Sequence, residues 1–454
     1  MDADIIVIGA GVSGLAAAGA LAKQGWKVRL VEARKRIGGR ILSAKPGGGG
    51  RLATAELGAE FVHGGNPIIR KALKRAGLQT RSIDAKVWWR DPRNGVLALL
   101  PDYWGQIRKV VDRIPSRTPG WSFKQFLHHE RASISAADRS LADRYVGSFE
   151  AAPTDQISAT TLREDRAGTE ANDLKLEGRY DRLIHTLGRD LPADRVELLL
   201  NHPVTSVKWG KGKVTVRTKT PGGKRLVDHE SRAVLVTLPL GVLQAGRVEF
   251  SPRLQEKETL ISQLGWGHVV RIVFRFKPGF WSAPFMPRAL GVRHGRDFGF
   301  VNAPGQSVPV WWALMSPAPI LTGWAGGDVS KSLRHRSPAI VRNEAIRSLA
   351  SILGTTERKL RFWVEDWQCH QWSDDPYSLG SYSFPVAGLE NGFKELARPV
   401  SSTIFFAGEA TAEEYGTVHG ALDSGLRAAR EADRALRSAR RTTKGTGFVR
   451  KMSP

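Results

Sequence analysis

At 454 residues, with 41% hydrophobic residues and 14 Trp, the chain is long enough to bury more than one large core, and disorder is excluded. A single cysteine, Cys369, excludes an intramolecular disulfide framework and any cysteine-rich zinc or iron–sulfur site, and a reducing compartment is the expected setting. The formal charge of +24 attracts nucleic acid or acidic membrane surfaces nonspecifically, but the basic residues are dispersed, with neither zinc-finger spacing nor an aromatic RNA-binding box.

The first residues, MDADIIVIGAG, begin a strand at once, without a basic n-region, an apolar h-region or a cleavage site. No apolar run approaches the roughly 18 residues that a bilayer crossing needs, so a cytoplasmic protein without a membrane span is expected. The pattern then gives a buried strand (Ile5 to Ile8), a turn with Gly9, Gly11 and Gly14, an Ala-rich helix to about Lys23, and a strand (Val28 to Val31) ending at Glu32. Gly9 permits the tight turn. Gly11 lets backbone N–H groups approach a pyrophosphate at the helix N-terminus, Gly14 lets helix and strand pack closely, and Glu32 can accept from a ribose hydroxyl. The complete unit with its terminal acid favours a dinucleotide over a merely structural glycine turn. An acid there suits an unphosphorylated adenosine ribose, which disfavours NADP and leaves NAD and FAD open.

ARKRIGGRI follows, with Gly38, Gly39 and Arg40 forming a second glycine turn whose cation could meet the same pyrophosphate. GGGG at 47–50 reads as a flexible loop. HHE at 128–130 reads as a polar helix face without a second ligand at metal spacing, so no metal site is expected. VELLLNHPVTSVKWGKGKVTVRTK and its turn TPGGKR are β-rich. The middle of LGWGHVVRIVFRFKPGFW, residues 264–281, reads as a strand with Val270, Ile272, Phe274 and Phe276 on one face and Val269, Arg271, Val273 and Arg275 on the other. Either Arg271 snorkels from a half-exposed edge or it serves a site. The final stretch, RSARRTTKGTGFVRKMSP, has six basic residues and no acidic ones, and reads as a solvated tail.

The run from Glu32 through Pro67, including ELGAEFVHGGNPI, resembles the flavin-dependent amine oxidase superfamily, which includes monoamine oxidases, polyamine oxidases and lysine-specific histone demethylases. Further blocks match in the family's order: VLVTLPLGVLQAG at 234–246, the Arg271 strand, PAPILTGWAGG at 317–327, WSDDPYSLGSYSFPVAG at 372–388 and IFFAGEATAEEYGTVHGALDSGLRAA at 404–429. The resemblance is thinnest from about 85 to 175. It implies an α/β fold in which a Rossmann-type FAD-binding domain (1–80, 190–252 and 365–440) is interleaved with an α+β substrate domain (81–189 and 253–364). The substrate domain would carry a mixed sheet and a helical insertion, and 441–454 would form a basic tail.

The resemblance also implies roles. Gly9, Gly11, Ser13, Gly14, Glu32, Ala33, Arg34, Gly39 and Arg40 would hold the adenosine and pyrophosphate, and Val204 the adenine. Gly58, Ala59, Glu60 and Phe61 would pass by the isoalloxazine and ribityl. Tyr377, Ser381, Gly408, Glu409, Thr417 and Val418 would complete the cofactor site, with the helix after Val418 directing its N-terminal N–H groups at the flavin. Core packing is the alternative for Ala421 and Gly425. Monoamine oxidases have a flavin-linking cysteine where Ser381 stands, so FAD is expected to be noncovalent. Tyr382 would be one wall of an aromatic cage that orients the substrate nitrogen, and the opposite wall falls at Thr417. Tyr415 is either a surface aromatic or a replacement for that wall. His63 matches a histidine near the substrate amine, whereas His419 reads as structural.

Arg271 stands where the family usually has a lysine that reaches flavin N5 through a water. Arginine keeps the positive charge but cannot exchange a proton as lysine can. The expectation is an FAD-dependent amine oxidase: hydride passes to flavin N5, the imine hydrolyses to aldehyde plus amine or ammonia, and oxygen or another acceptor reoxidises the flavin. Catalytic roles would fall to Arg271, Tyr382, His63 and Thr417. The alternatives are an L-amino-acid oxidase or other flavin desaturase, in which Arg271 clamps a carboxylate, and a chromatin- or nucleic-acid-associated flavoprotein.

Overall fold

The computed structural model describes residues 2–44, 55–64, 66–83, 85–116, 120–168, 174–286, 292, 295–314 and 318–448. The glycine run at 47–50 lies outside them, as do 449–454. Ile5–Ile8, Val28–Val31, Val196–Leu199, Ala233–Val236 and Ile404–Phe406 form one five-stranded parallel sheet, with Ile5–Ile8 at its centre. All four residues of that central strand are buried. A strand covered on both faces must be apolar throughout, and each such fully buried side chain contributes about 1.5–3 kcal/mol. Segments far apart in the chain therefore meet in a single sheet.

The helix Val12–Lys23 packs on the C-terminal helix Val418–Phe448. Gly425 makes this possible, since a Cβ there would lie 2.3 Å from the Ser13 carbonyl oxygen. Packing is thus the structural role of Gly425. The C-terminal helix also runs through much of the stretch expected to be a solvated tail. Trp26 donates its indole N–H to Asp433 at 2.8 Å, and the Arg440 and Arg437 guanidiniums lie 4.0 and 5.9 Å from its ring centroid. The stretch is thus helical as far as Phe448, and Arg437 and Arg440, both still exposed as expected, lie against an indole face that attracts cations.

A four-stranded sheet carries the β-rich stretch from Val204 onward and its Thr220–Arg225 turn; along Lys213–Lys219, Val214, Val216 and Thr218 point inward in alternation. A mixed seven-stranded sheet holds Val269–Phe276 second from its edge, hydrogen-bonded to Val364–Gln371 on one side and Ile320–Gly326 on the other. That position rules out snorkelling from an edge. The helices Tyr103–Val111, Phe123–His129 and Ala136–Phe149 cluster beside this sheet. A three-stranded sheet places Leu174–Glu177 between Phe61–Val62 and Gln79–Ser82, setting Lys175 opposite Phe61. No helix among the described residues is long and apolar enough to cross a membrane.

Candidate active site

One cavity of about 1690 Å³ runs between the parallel sheet and the mixed sheet. That exceeds the ~300–1,000 Å³ of an ordinary small-molecule pocket, leaving room for a dinucleotide and a second ligand. Among the residues singled out as candidate site residues, only Gly14 is absent from its lining. Gly14 does packing work instead: a Cβ there would lie 1.8 Å from the Gly9 carbonyl oxygen.

At the end of the cavity formed by the glycine turns, Gly9 has φ +100° and the chain enters the first helix at Gly11. The two glycine turns face each other at backbone distance, since a Cβ on Gly39 would meet the Gly11 Cα at 3.3 Å. The Ser13 hydroxyl is buried there without a protein partner. An orphaned hydroxyl beside helix N–H groups, in a cradle shaped by glycine, fits a pyrophosphate. Glu32 accepts from the Ala10 N–H at 2.8 Å and the Arg34 N–H at 2.9 Å, which fixes the loop while leaving its other lone pairs available. The Arg34 guanidinium reaches Asp375 and Ser378 and lies 5.3 Å from the Tyr377 ring centroid. Asp375 had no signal in the sequence beyond its place in a matching block.

Farther along, Arg40 donates to Glu409 at 2.8 Å and to the Ser381 carbonyl at 2.7 Å. The other Glu409 oxygen accepts from the Ser383 hydroxyl at 2.6 Å and the Gly416 N–H at 2.9 Å. These bonds tie the glycine turn to the segment entering the C-terminal helix. Thr417 accepts from the Gly420 N–H at 2.9 Å and donates to the Glu414 carbonyl at 2.7 Å, so its hydroxyl caps that helix. Val418 and the half-buried Ala421 line the cavity.

Arg271 is only 3% exposed, although it lines the cavity. It donates to the Gly58 carbonyl at 2.8 Å and pairs with the Glu60 carboxylate, while its guanidinium lies 5.4 Å from the Trp312 ring centroid. Glu60's other oxygen meets Lys175. Burial alone would raise the Glu60 carboxyl, but the two cations hold it down at about 2. Nearby Glu56 accepts from the Ser43 hydroxyl and the Tyr180 N–H, both at 2.9 Å, yet its burial pushes it up to about 7. Lys175 escaped sequence reasoning because only the pairing of its strand with Phe61–Val62 brings it to Glu60.

The far end of the cavity is aromatic, lined by Trp89, Trp104, Tyr145, Phe149, Trp312 and Trp324 among others. Phe149 stands at the end of Ala136–Phe149, and three glycines make room for the backbone there. Cβ atoms at Gly326, Gly327 and Gly267 would lie 2.1, 2.3 and 2.9 Å from the carbonyl oxygens of Ser148, Gly147 and Ala151. The Trp324 indole donates to the Ser148 carbonyl at 3.2 Å and the Tyr382 hydroxyl to the Phe149 carbonyl at 2.5 Å. Burial pushes the Tyr382 phenol well above its ordinary value, with Glu150 adding, so it remains a donor. The Phe149 ring meets His63 edge-on at 5.8 Å and stacks on Tyr145 at 5.2 Å. Tyr415 is buried rather than on the surface, and its ring packs on Phe393 at 5.7 Å. His419 is 3% exposed; burial, with His63 adding, pushes it down to about 4, which suits a structural histidine.

A family model described as flavin containing amine oxidoreductase matches residues 12–432. "Probable polyamine oxidase 4" of Arabidopsis thaliana is 29% identical over 471 residues, covering 95% of this chain and 87% of its own. "Lysine-specific histone demethylase 1 homolog 2" of Arabidopsis thaliana is 27% identical over 457 residues, covering 94% of this chain and 58% of its own. The chain thus spans little more than half the length of that demethylase relative. A solved structure of wild-type putrescine oxidase bound to putrescine superposes with a TM-score of 0.76 at 21% identity, covering 95% of this chain and 99% of that one, a likeness of fold.

Proposed function

Because this chain belongs to the family of flavin-containing amine oxidoreductases, we propose that it is an amine oxidase that holds FAD noncovalently and acts on a small amine, with dioxygen as acceptor. The observation that carries this reading is the continuity of one cavity from the Gly9–Ser13 cradle, past Arg271, to the aromatic chamber at Phe149. Held between the Gly9–Ser13 cradle and Arg271, FAD would supply two-electron redox chemistry, by which an amine would lose hydride from the carbon next to nitrogen to give an imine that water splits into aldehyde and amine, with dioxygen as the final acceptor, leaving as peroxide.

The chain's own residues would do the rest. Ser13 and the first helix would bind the pyrophosphate, and Glu32 the adenosine ribose. A serine at 381 cannot form a thioether, and Cys369 neither lines the cavity nor reacts easily, since burial pushes its thiol up to about 12. Both features support a noncovalent cofactor. Tyr382, His63 and Phe149 would bound the amine, with His63 accepting a proton from its ammonium form so that the neutral amine reacts. Arg271 would hold positive charge on the flavin wall and stabilise the reduced state.

The amino-acid oxidase alternative loses support. The Arg271 fork is already engaged by Gly58 and Glu60, leaving it unsuited to clamp a substrate carboxylate. The +24 charge supports nonspecific attraction to nucleic acid without favouring a chromatin-specific role. The test is peroxide release from air-saturated enzyme offered aliphatic diamines, aryl amines and L-amino acids. Amine-dependent peroxide is expected; peroxide from amino acids alone would overturn the reading.

A further inference from the structure

The charges around Arg271 do not balance as a pair. Glu60 gives one carboxylate oxygen to Arg271 and the other to Lys175, so two cations share one anion, and Glu56 beside them, which burial raises to about 7, is largely protonated and adds no full charge below that pH. The three side chains are 3%, 7% and 14% exposed for Arg271, Glu60 and Lys175, too little for water to screen the imbalance. Lys175 reaches this place by register: it lies on the middle strand of the three-stranded sheet, opposite Phe61 on one side and Arg81 on the other. Its ammonium is 5.9 Å from the Phe61 ring centroid. Glu60, Phe61 and Arg271 line the cavity and Lys175 does not, so Lys175 can act on a ligand there only through its neighbours.

We propose that Lys175 is a positioning residue of the flavin site: by holding half of the Glu60 carboxylate it keeps that anion from cancelling Arg271, and leaves the cavity wall with a net positive charge. This inference rests on the flavin reading. Without Lys175, Glu60 would turn wholly to Arg271 in a bidentate pair, the arrangement these two groups prefer. The wall would then be neutral, and any anionic state of a bound flavin would lose its counter-charge. Removing Glu60 should do the opposite and leave both cations uncompensated.

Sulfite is the probe, because it adds to oxidised flavin as an anion and bleaches the visible band. The holoenzyme and its Lys175→Met, Lys175→Arg and Glu60→Gln variants would be titrated with sulfite. Lys175→Met should weaken sulfite binding by roughly tenfold, as expected for one buried unit charge removed nearby. Lys175→Arg should stay within about twofold of wild type, and Glu60→Gln should bind sulfite more tightly. The two-electron midpoint potential of the bound flavin should move in the same sense, by about 30 mV per tenfold. If Lys175→Met does not retain flavin, Lys175→Gln takes its place with the same expectation. Sulfite affinity unchanged in the Lys175 variant, or weakened in the Lys175 and Glu60 variants alike, overturns the proposal, since a packing role weakens both. A wild type without a visible flavin band overturns the flavin reading itself, and this inference with it.

Discussion

Arg271 donates to the Gly58 carbonyl at 2.8 Å, which joins the long strand of the mixed sheet to the loop leaving the parallel sheet. The same guanidinium pairs with Glu60, so the cation is both buried and directed. Arg271→Met should slow amine-driven reduction and also destabilise the fold by about 3–5 kcal/mol, because Glu60 loses one of its buried partners. Arg271→Lys should keep reduction near the wild-type rate and alter reoxidation by oxygen, because an ammonium can exchange a proton where a guanidinium cannot. Anaerobic stopped-flow reduction and separate reoxidation check this. Both rates staying within about twofold in both variants would leave Arg271 as a packing residue.

Glu32→Ala should weaken FAD retention by about 1.5–3 kcal/mol, the contribution of a hydrogen bond to a charged acceptor, or roughly 10- to 150-fold in Kd. The turns at Ala10 and Arg34 also lose the backbone anchor that Glu32 gives each of them, which acts in the same direction. Fluorescence of released flavin during dialysis reads the effect. Unchanged retention would remove Glu32 from the ribose site.

Phe149→Ala should raise KM for an amine by roughly tenfold while changing kcat little, because the ring bounds the chamber without touching the reacting bond. Tyr382→Phe loses the hydrogen bond to the Phe149 carbonyl and should lower stability by about 1 kcal/mol. Steady-state kinetics and urea unfolding separate the two. An unchanged KM in Phe149→Ala would mean that the amine binds elsewhere in the cavity.

Glu56 predicts a pH dependence of stability. Its carboxyl is raised to about 7 in the fold against 4.5 as the ordinary value. Between those values the folded chain holds a proton that the unfolded chain has released, so stability falls as pH rises through the window, by at most about 1.4 kcal/mol per unit. Glu60 has the opposite sign: its carboxyl is held at about 2, and the stability it contributes above 4.5 is lost as pH falls through that lower value. Glu56→Gln should flatten the decline between about pH 5 and 7, read from urea midpoints. Parallel curves for variant and wild type would contradict the assignment.

What the sequence made legible follows from the range of each signal. The Ile5-to-Glu32 unit, the Val269–Phe276 strand and its two faces are local patterns of period and glycine placement, and they stand as read. The site residues that escaped are those whose meaning depends on pairing between distant segments. Lys175 needed the register with Phe61, Asp375 the approach of Arg34, and Phe149 the three glycines that admit its helix end. The contact of Arg437 and Arg440 with Trp26 was hidden for the same reason, since Trp26 lies more than four hundred residues upstream of Asp433 and these arginines.

The most direct test of the account is to mix the purified yellow protein anaerobically with a diamine such as putrescine, or with an aryl amine such as benzylamine, and follow the visible flavin absorption and the aldehyde formed. Bleaching with one aldehyde per flavin reduced, followed by release of intact FAD on acid denaturation, is the predicted result. A flavin that no amine bleaches but a chemical reductant does would contradict amine oxidation as the function of this cavity.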